Sequence, residues 1–273
     1  MSFPVVGVIA PEIAISQLIE PAARLGIEIK ASSKSMSAQE LIEFAKGCNL
    51  ICIEPELISM GAIKVAEQSG VQIYPSSNLL TSISTIQLHQ TSSESLAIAA
   101  ARSAHAQSAI WPIALVSNGL VISPAPAMSE EQSITIAVSA LNLLNELGVI
   151  GGVELIVDAD NYQNLIEINW LQPISSFVTE LNTTTDYFEQ YLRAVLDLPL
   201  GETNTNKEFA VSGSLKTDPN SNDYRPYLHL MARNPRLKFD QRVKLVGLAG
   251  ENLEELLAEV IHAQQYYSGE IDS

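Results

Sequence analysis

The sequence predicts an α/β protein, on three observations. Over the first ninety residues, short apolar runs alternate with helical stretches, the pattern of βαβ units around a parallel sheet. Past that point, AAARSAHAQSAIWP and ISPAPAMSEE give two or three antiparallel strands running into a helix. Gly151–Trp170 then holds two alternating runs around an Asp/Asn-rich connection, which predicts a β-hairpin with a longer turn. At 273 residues the chain is long enough for one large domain or for two to three lobes with a sizeable core.

Taken in order, Val5–Ile9, Gly26–Lys30, Leu50–Ile53 and Val71–Tyr74 are expected as short buried strands. Helices are expected over Glu12–Leu25, Ala38–Lys46 and Met60–Gln68. Pro11 can start the first, and Glu12 suits its positive end. Ser37 with Glu40 makes a capping box, while Gly47 and Gly70 stand where C-terminal caps belong. Ser129 with Gln132 opens a later helix with a buried stripe of Ile134, Val138, Leu141 and Leu144, ending at Gly148. The hairpin strands are Val153–Val157 and Asn164–Asn169. If Glu154 lies opposite Glu167, Ile156 faces Leu165, Asp158 faces Gln163, and all six share one face. After a polar break at Glu202–Lys207, Phe209–Leu215 and Tyr227–Met231 are expected as strands joined by the loop Thr217–Asp223. Val243–Gly247 follows as a strand, then an amphipathic helix, Leu253–Ile261, with Leu253, Leu256, Leu257, Val260 and Ile261 on one side.

Composition narrows the function classes. A net charge of −16 argues against nucleic acid and anionic membranes, both of which attract basic surfaces. Cys48 and Cys52 have neither the number nor the spacing of a disulfide framework or zinc site, so buried thiols in a reducing compartment are expected. No basic leader and no apolar run of membrane length is visible, so a soluble, cytoplasmic protein is expected. His229 on its strand is expected as a hydrogen-bonded core residue, and His89, His105 and His262 show no acid or nucleophile partner.

Two carboxylates placed opposite each other repel unless a cation bridges them or one holds a proton, so Glu154 and Glu167 form a candidate magnesium pair. The plainer alternative is an edge hairpin with solvated acids. GVELIV, IEIN and above all FEQYLRAVLDLPLG (Phe188–Gly201) resemble the C-terminal half of the ATP-grasp domain of the carboxyaminoimidazole ribonucleotide synthase family, which carboxylates a purine precursor with ATP and bicarbonate. The resemblance implies a Rossmann-like N-terminal lobe over residues 1–90, an ATP-grasp lobe over 91–201 and a small β-rich C-terminal lobe over 202–273. CNLICIEPELI places Glu54 and Glu56 at the family's acidic motif, IYPSSNLL places Tyr74 and Ser76 at the next strand end, and KFDQRVKLVG places Lys238 and Arg242 in its basic cluster. These six are the substrate-binding residues that the resemblance implies, as vestiges.

The departures from the family are extensive. Its glycine-rich first turn reads Ala10-Pro11-Glu12-Ile13-Ala14-Ile15 here, and its acid-base pair reads Thr85-Ile86. The whole ATP lid is missing: LHQTSSES (Leu88–Ser95) leads directly into LAIAAARSA (Leu96–Ala104). The family's polar run after the second glutamate has Ile166, Leu171, Pro173, Ile174 and Phe177 at its polar positions, with Ser175 and Thr179 kept, so the old pocket is expected to be packed shut or covered by a partner. The expectation is a non-catalytic relative acting as a binding, assembly or regulatory protein. It needs no cofactor beyond weakly held magnesium, works with an unidentified protein partner and forms a homodimer. Two alternatives remain: a residual binder of a nucleotide or metal, and an active ATP-dependent carboxylase that borrows its lid from another chain.

Overall fold

The computed structural model describes residues 3–90, 93–215, 220 and 222–271. Strands β1 (Val5–Ile9), β2 (Glu28–Ser32), β3 (Leu50–Ile53) and β4 (Ile73–Tyr74) form a parallel sheet in the order β2-β1-β3-β4. Helices α1 (Glu12–Leu25), α2 (Ala38–Ala45) and α3 (Met60–Gln68) connect them. Pro11 is the N-cap of α1, with Glu12 in its first turn, and Gly26 closes it in the left-handed conformation. Ser37 and Glu40 form the expected capping box on α2.

Helix α4 (Ser77–Ile83) and strand β5 (Glu94–Arg102) are joined by residues 84–93 alone, so no subdomain stands between them. Strands β6 (Ser108–Ile110), β7 (Ala114–Ser117) and β8 (Leu120–Ser123) follow, then helix α5 (Glu130–Leu147), strands β9 (Gly151–Asp158) and β10 (Leu165–Asn169), and helices α6 (Ser176–Asn182) and α7 (Tyr187–Val195). The chain ends with β11 (Phe209–Ser214), α8 (Arg225–Arg233), β12 (Lys238–Asp240), β13 (Leu245–Gly250) and α9 (Leu253–Ser268). β5 to β13 make one antiparallel nine-stranded sheet in the order β10-β9-β5-β7-β8-β11-β13-β12, with β6 on β5. Because β11 pairs with β8, the C-terminal strands extend the preceding sheet across the polar break.

The largest core cluster links the two sheets. Val6, Val8 and Leu18 from the parallel layer share it with Ile98, Leu155, Tyr187, Tyr191 and Leu192. Helix α7 can lie close on β9 because Gly152 has no side chain; a Cβ there would sit 3.0 Å from both the Tyr187 and Tyr191 rings. The Phe188–Gly201 run thus forms most of a helix that, with Tyr187, packs three aromatic rings into the core between the sheets.

Five local expectations need correction. His229 lies on helix α8, half-buried and stacked on the Tyr266 ring, and not in a strand core. Tyr227–Met231 lies in helix α8 and not in a strand, because its buried residues are Tyr227 and Leu230, three apart, with Pro226 in the first turn and Leu228 exposed. The inward face of α5 carries Ile136, Ala140 and Leu144, so Ile134 and Val138 point outward. On α9 the stripe is Leu256, Val260, Ala263 and Tyr267, which leaves Ile261 exposed. His105 does have an acid partner, Asp197, at the surface. Of the expected loop Thr217–Asp223, residues 217–219 and 221 lie outside the described residues. Cys52 is buried and Cys48 partly so, both as free thiols.

Helix α6 sits on β13 where Gly247 leaves room, and a Cβ at Gly247 would lie 2.5 Å from Leu181 Cδ1 and 2.9 Å from the Val211 carbonyl oxygen. The backbone oxygen cannot move aside. Gly247→Ala is therefore expected to lower the unfolding free energy by about 1–3 kcal/mol, measured by urea denaturation.

Candidate functional site

The hairpin that carries the two candidate metal ligands is bulged. Leu165 pairs with Val157, but Glu167 pairs with Ile156 and Asn169 with Glu154, so Ile166 is the extra residue. The expected Glu154–Glu167 opposition is thus displaced by a residue pair. The cause lies in the Leu165-Ile166 doublet: both side chains are buried, which strict alternation cannot satisfy.

The displacement separates the two acids chemically. Glu154 is fully buried and accepts four hydrogen bonds: Asn169 Nδ2 at 3.0 Å, Ile174 N at 2.7 Å, Ser175 N at 2.8 Å and Ser175 Oγ at 2.5 Å. Burial pushes its pKa up, against these donors, each of which favours the ionised form. Both oxygens are occupied, so the donors already do for this carboxylate what a bridging cation would do. Glu167 is exposed on β10.

Glu167 meets the N-terminal acids instead. A cavity of about 540 Å³ between the lobes is lined by Glu54 and Glu56 beyond β3, by Leu80 and Ile83 of α4, and by Glu167, Asn169 and Trp170. Of the positions expected to close the old pocket, Ile166, Leu171 and Phe177 are buried, whereas Ile174 lines the cavity and is itself exposed. Glu54 is 9% exposed, and its Oε2 is buried with no hydrogen-bond partner. Burial raises its pKa, as does the Glu56 charge, against hydrogen bonds from the Leu171 backbone and the Gln172 side chain.

The other expected ligands lie elsewhere. Tyr74 is buried, with its hydroxyl 2.5 Å from Gln72 Nε2, and Ser76 caps α4 by accepting from Leu79 N. Lys238 is exposed on edge strand β12. Arg242 is spent on Asp240 through Nε and Nη2, at 2.9 and 2.7 Å, and on the Ser16 carbonyl at 3.0 Å. Neither Lys238 nor Arg242 lines the acidic cavity, and no Lys, Arg or His does so among the described residues. Nor do the described residues contain a cluster of three or more His, Cys, Asp or Glu able to hold a metal ion. No helix among them is long and apolar enough to cross a membrane.

Comparison with known proteins bears out the resemblance read from the sequence, although no family model matches the chain. N5-carboxyaminoimidazole ribonucleotide synthase of Mycobacterium tuberculosis is 37% identical over 160 residues, covering 55% of this chain and 36% of that protein. The Mycobacterium leprae enzyme is 40% identical over 110 residues, 38% of this chain and 25% of its own. These matches therefore span well under half the length of the curated relatives. Among solved structures, N5-carboxyaminoimidazole ribonucleotide synthetase from Thermotoga maritima superposes with a TM-score of 0.77 at 15% identity, over 97% of this chain and 98% of that one. The Aspergillus clavatus synthase complexed with ATP gives 0.76 at 14% identity, over 98% and 99%. The fold is the α/β architecture of these synthetase structures.

The folded chain disfavours the ionised form of Glu54, so this group contributes stability that is complete at low pH and is lost as pH rises through its folded pKa. Glu54→Gln removes that loss. The variant is expected to be more stable than the parent by about 1 kcal/mol near neutral pH, with the gain shrinking towards about pH 4. Denaturation midpoints across that range measure it.

Proposed function

We propose that the chain serves the reaction for which its curated relatives are named, the ATP-dependent carboxylation of aminoimidazole ribonucleotide. The observation that carries this reading is the open acidic cavity between the lobes, which gathers Glu54, Glu56 and Glu167 in a fold shared with an ATP-bound synthase. In the proposal Glu167 takes magnesium, which brings the nucleotide phosphates as its further ligands. Residues Glu54 and Glu56 face the acceptor side. Phosphoryl transfer also needs cationic or amide groups around the phosphates. Since the cavity lining has no basic side chain among the described residues, those groups come from a second chain.

A second reading, a non-catalytic relative acting by binding, has its own support. The four donors on Glu154 and the Asp240 partner of Arg242 leave those two groups nothing to offer a substrate. One assay separates the readings: phosphate release with ATP, magnesium, bicarbonate and aminoimidazole ribonucleotide, on the chain alone and on the assembly it forms in its native cell. The first reading expects bicarbonate-dependent release by the assembly that falls by about 100-fold in Glu167→Gln. Release that is absent, or indifferent to Glu167, favours the second.

A further inference from the structure

A second cavity, of about 300 Å³, lies between α1, the turn before α6 and the sheet at β7, β8 and β11. Its volume is at the low end for small-molecule pockets. The lining differs in kind from that of the acidic cavity. Among the described residues not one charged side chain contributes, in a chain of net charge −16. Val121, Pro173 and Leu245 supply apolar wall, and Gln17 and Ser212 supply neutral polar groups.

Two features point to a missing occupant. Ser212 is 1% exposed and lines this cavity, yet its Oγ has no hydrogen-bond partner. A buried hydroxyl without a partner is costly, and a ligand atom would remove that cost. Ile13 and Ile174 also line the cavity and are 45% and 39% exposed, so the chain leaves apolar surface open around it. An ion would gain no counter-charge here and would lose its hydration.

We infer that this cavity binds an uncharged, largely apolar small molecule with one hydrogen-bonding group that reaches the Ser212 hydroxyl. The inference does not rest on the carboxylation reading, because Glu167 is absent from this lining. Benzamide, benzoate and benzamidine share a shape and differ in charge, so titrating the full chain with each, followed by protein NMR, tests it. Benzamide is expected to bind at least about 10-fold more tightly than either ion. Its affinity is expected to fall about 5-fold in Ser212→Ala. Ile13→Glu, which places a charge beside the cavity at an exposed helix position and leaves the core intact, is expected to weaken it by about as much. Three results would each overturn the inference: no saturable benzamide binding, an ion that binds as well, or an affinity unchanged in both variants.

Discussion

A carboxylate removed from water must be met by donors, and in this fold Glu154 is met by two main-chain N–H groups and two side chains. Its oxygens take the N–H groups of Ile174 and Ser175, so a β9 side chain fixes the course of the backbone between β10 and α6. Gln172 and Ile174 on that segment line both cavities. The partition between an acidic chamber and a neutral one therefore hangs on one buried carboxyl group. The Tyr187 hydroxyl adds a second tie, donating to the Trp170 carbonyl at 2.6 Å.

The two chambers show how little of a site's chemistry is decided by its scaffold. One wall segment serves both, and the same sheet floors them, yet among the described residues one is lined by three carboxylates and the other by none. What separates them is the placement of single residues. Glu54 and Glu56 flank Pro55, where a short turn begins immediately beyond the strand end. Ser212 lies on β11, between the small residues Val211 and Gly213.

Much of the N-terminal lobe was legible because its signals are local. Val5–Ile9, Leu50–Ile53, Glu12–Leu25 and Met60–Gln68 fold over the spans their periodicity predicts, with the cap at Ser37 in place. The errors fall where tertiary packing overrides pattern. YLHLM alternates like a strand, but it folds as a helix in which Tyr227 stacks on Tyr224 and meets Tyr267 edge-on. For the site, residue identity was readable and register was not. Glu54, Glu56 and Glu167 were singled out, and all three line one cavity. The partnership of Glu154 with Asn169 was hidden by a bulge whose one signal was two adjacent apolar residues, Leu165 and Ile166. The neutral cavity was legible only in part: Ile13, Pro173 and Ile174 were singled out, but its lining comes from five separate stretches and holds no motif of its own.

The direct join between α4 and β5 bears on how such a chain tolerates change. His89 N–H bonds to the Leu165 carbonyl at 2.8 Å, which ties the connecting segment to the hairpin beside the acidic cavity. A connection this short between two packed elements makes a modular junction, the kind of place where insertions are tolerated. A change of length at this seam reaches the core between the sheets through Ile83 and Ile86, which pack against it, so those two side chains set how freely the junction can be remade.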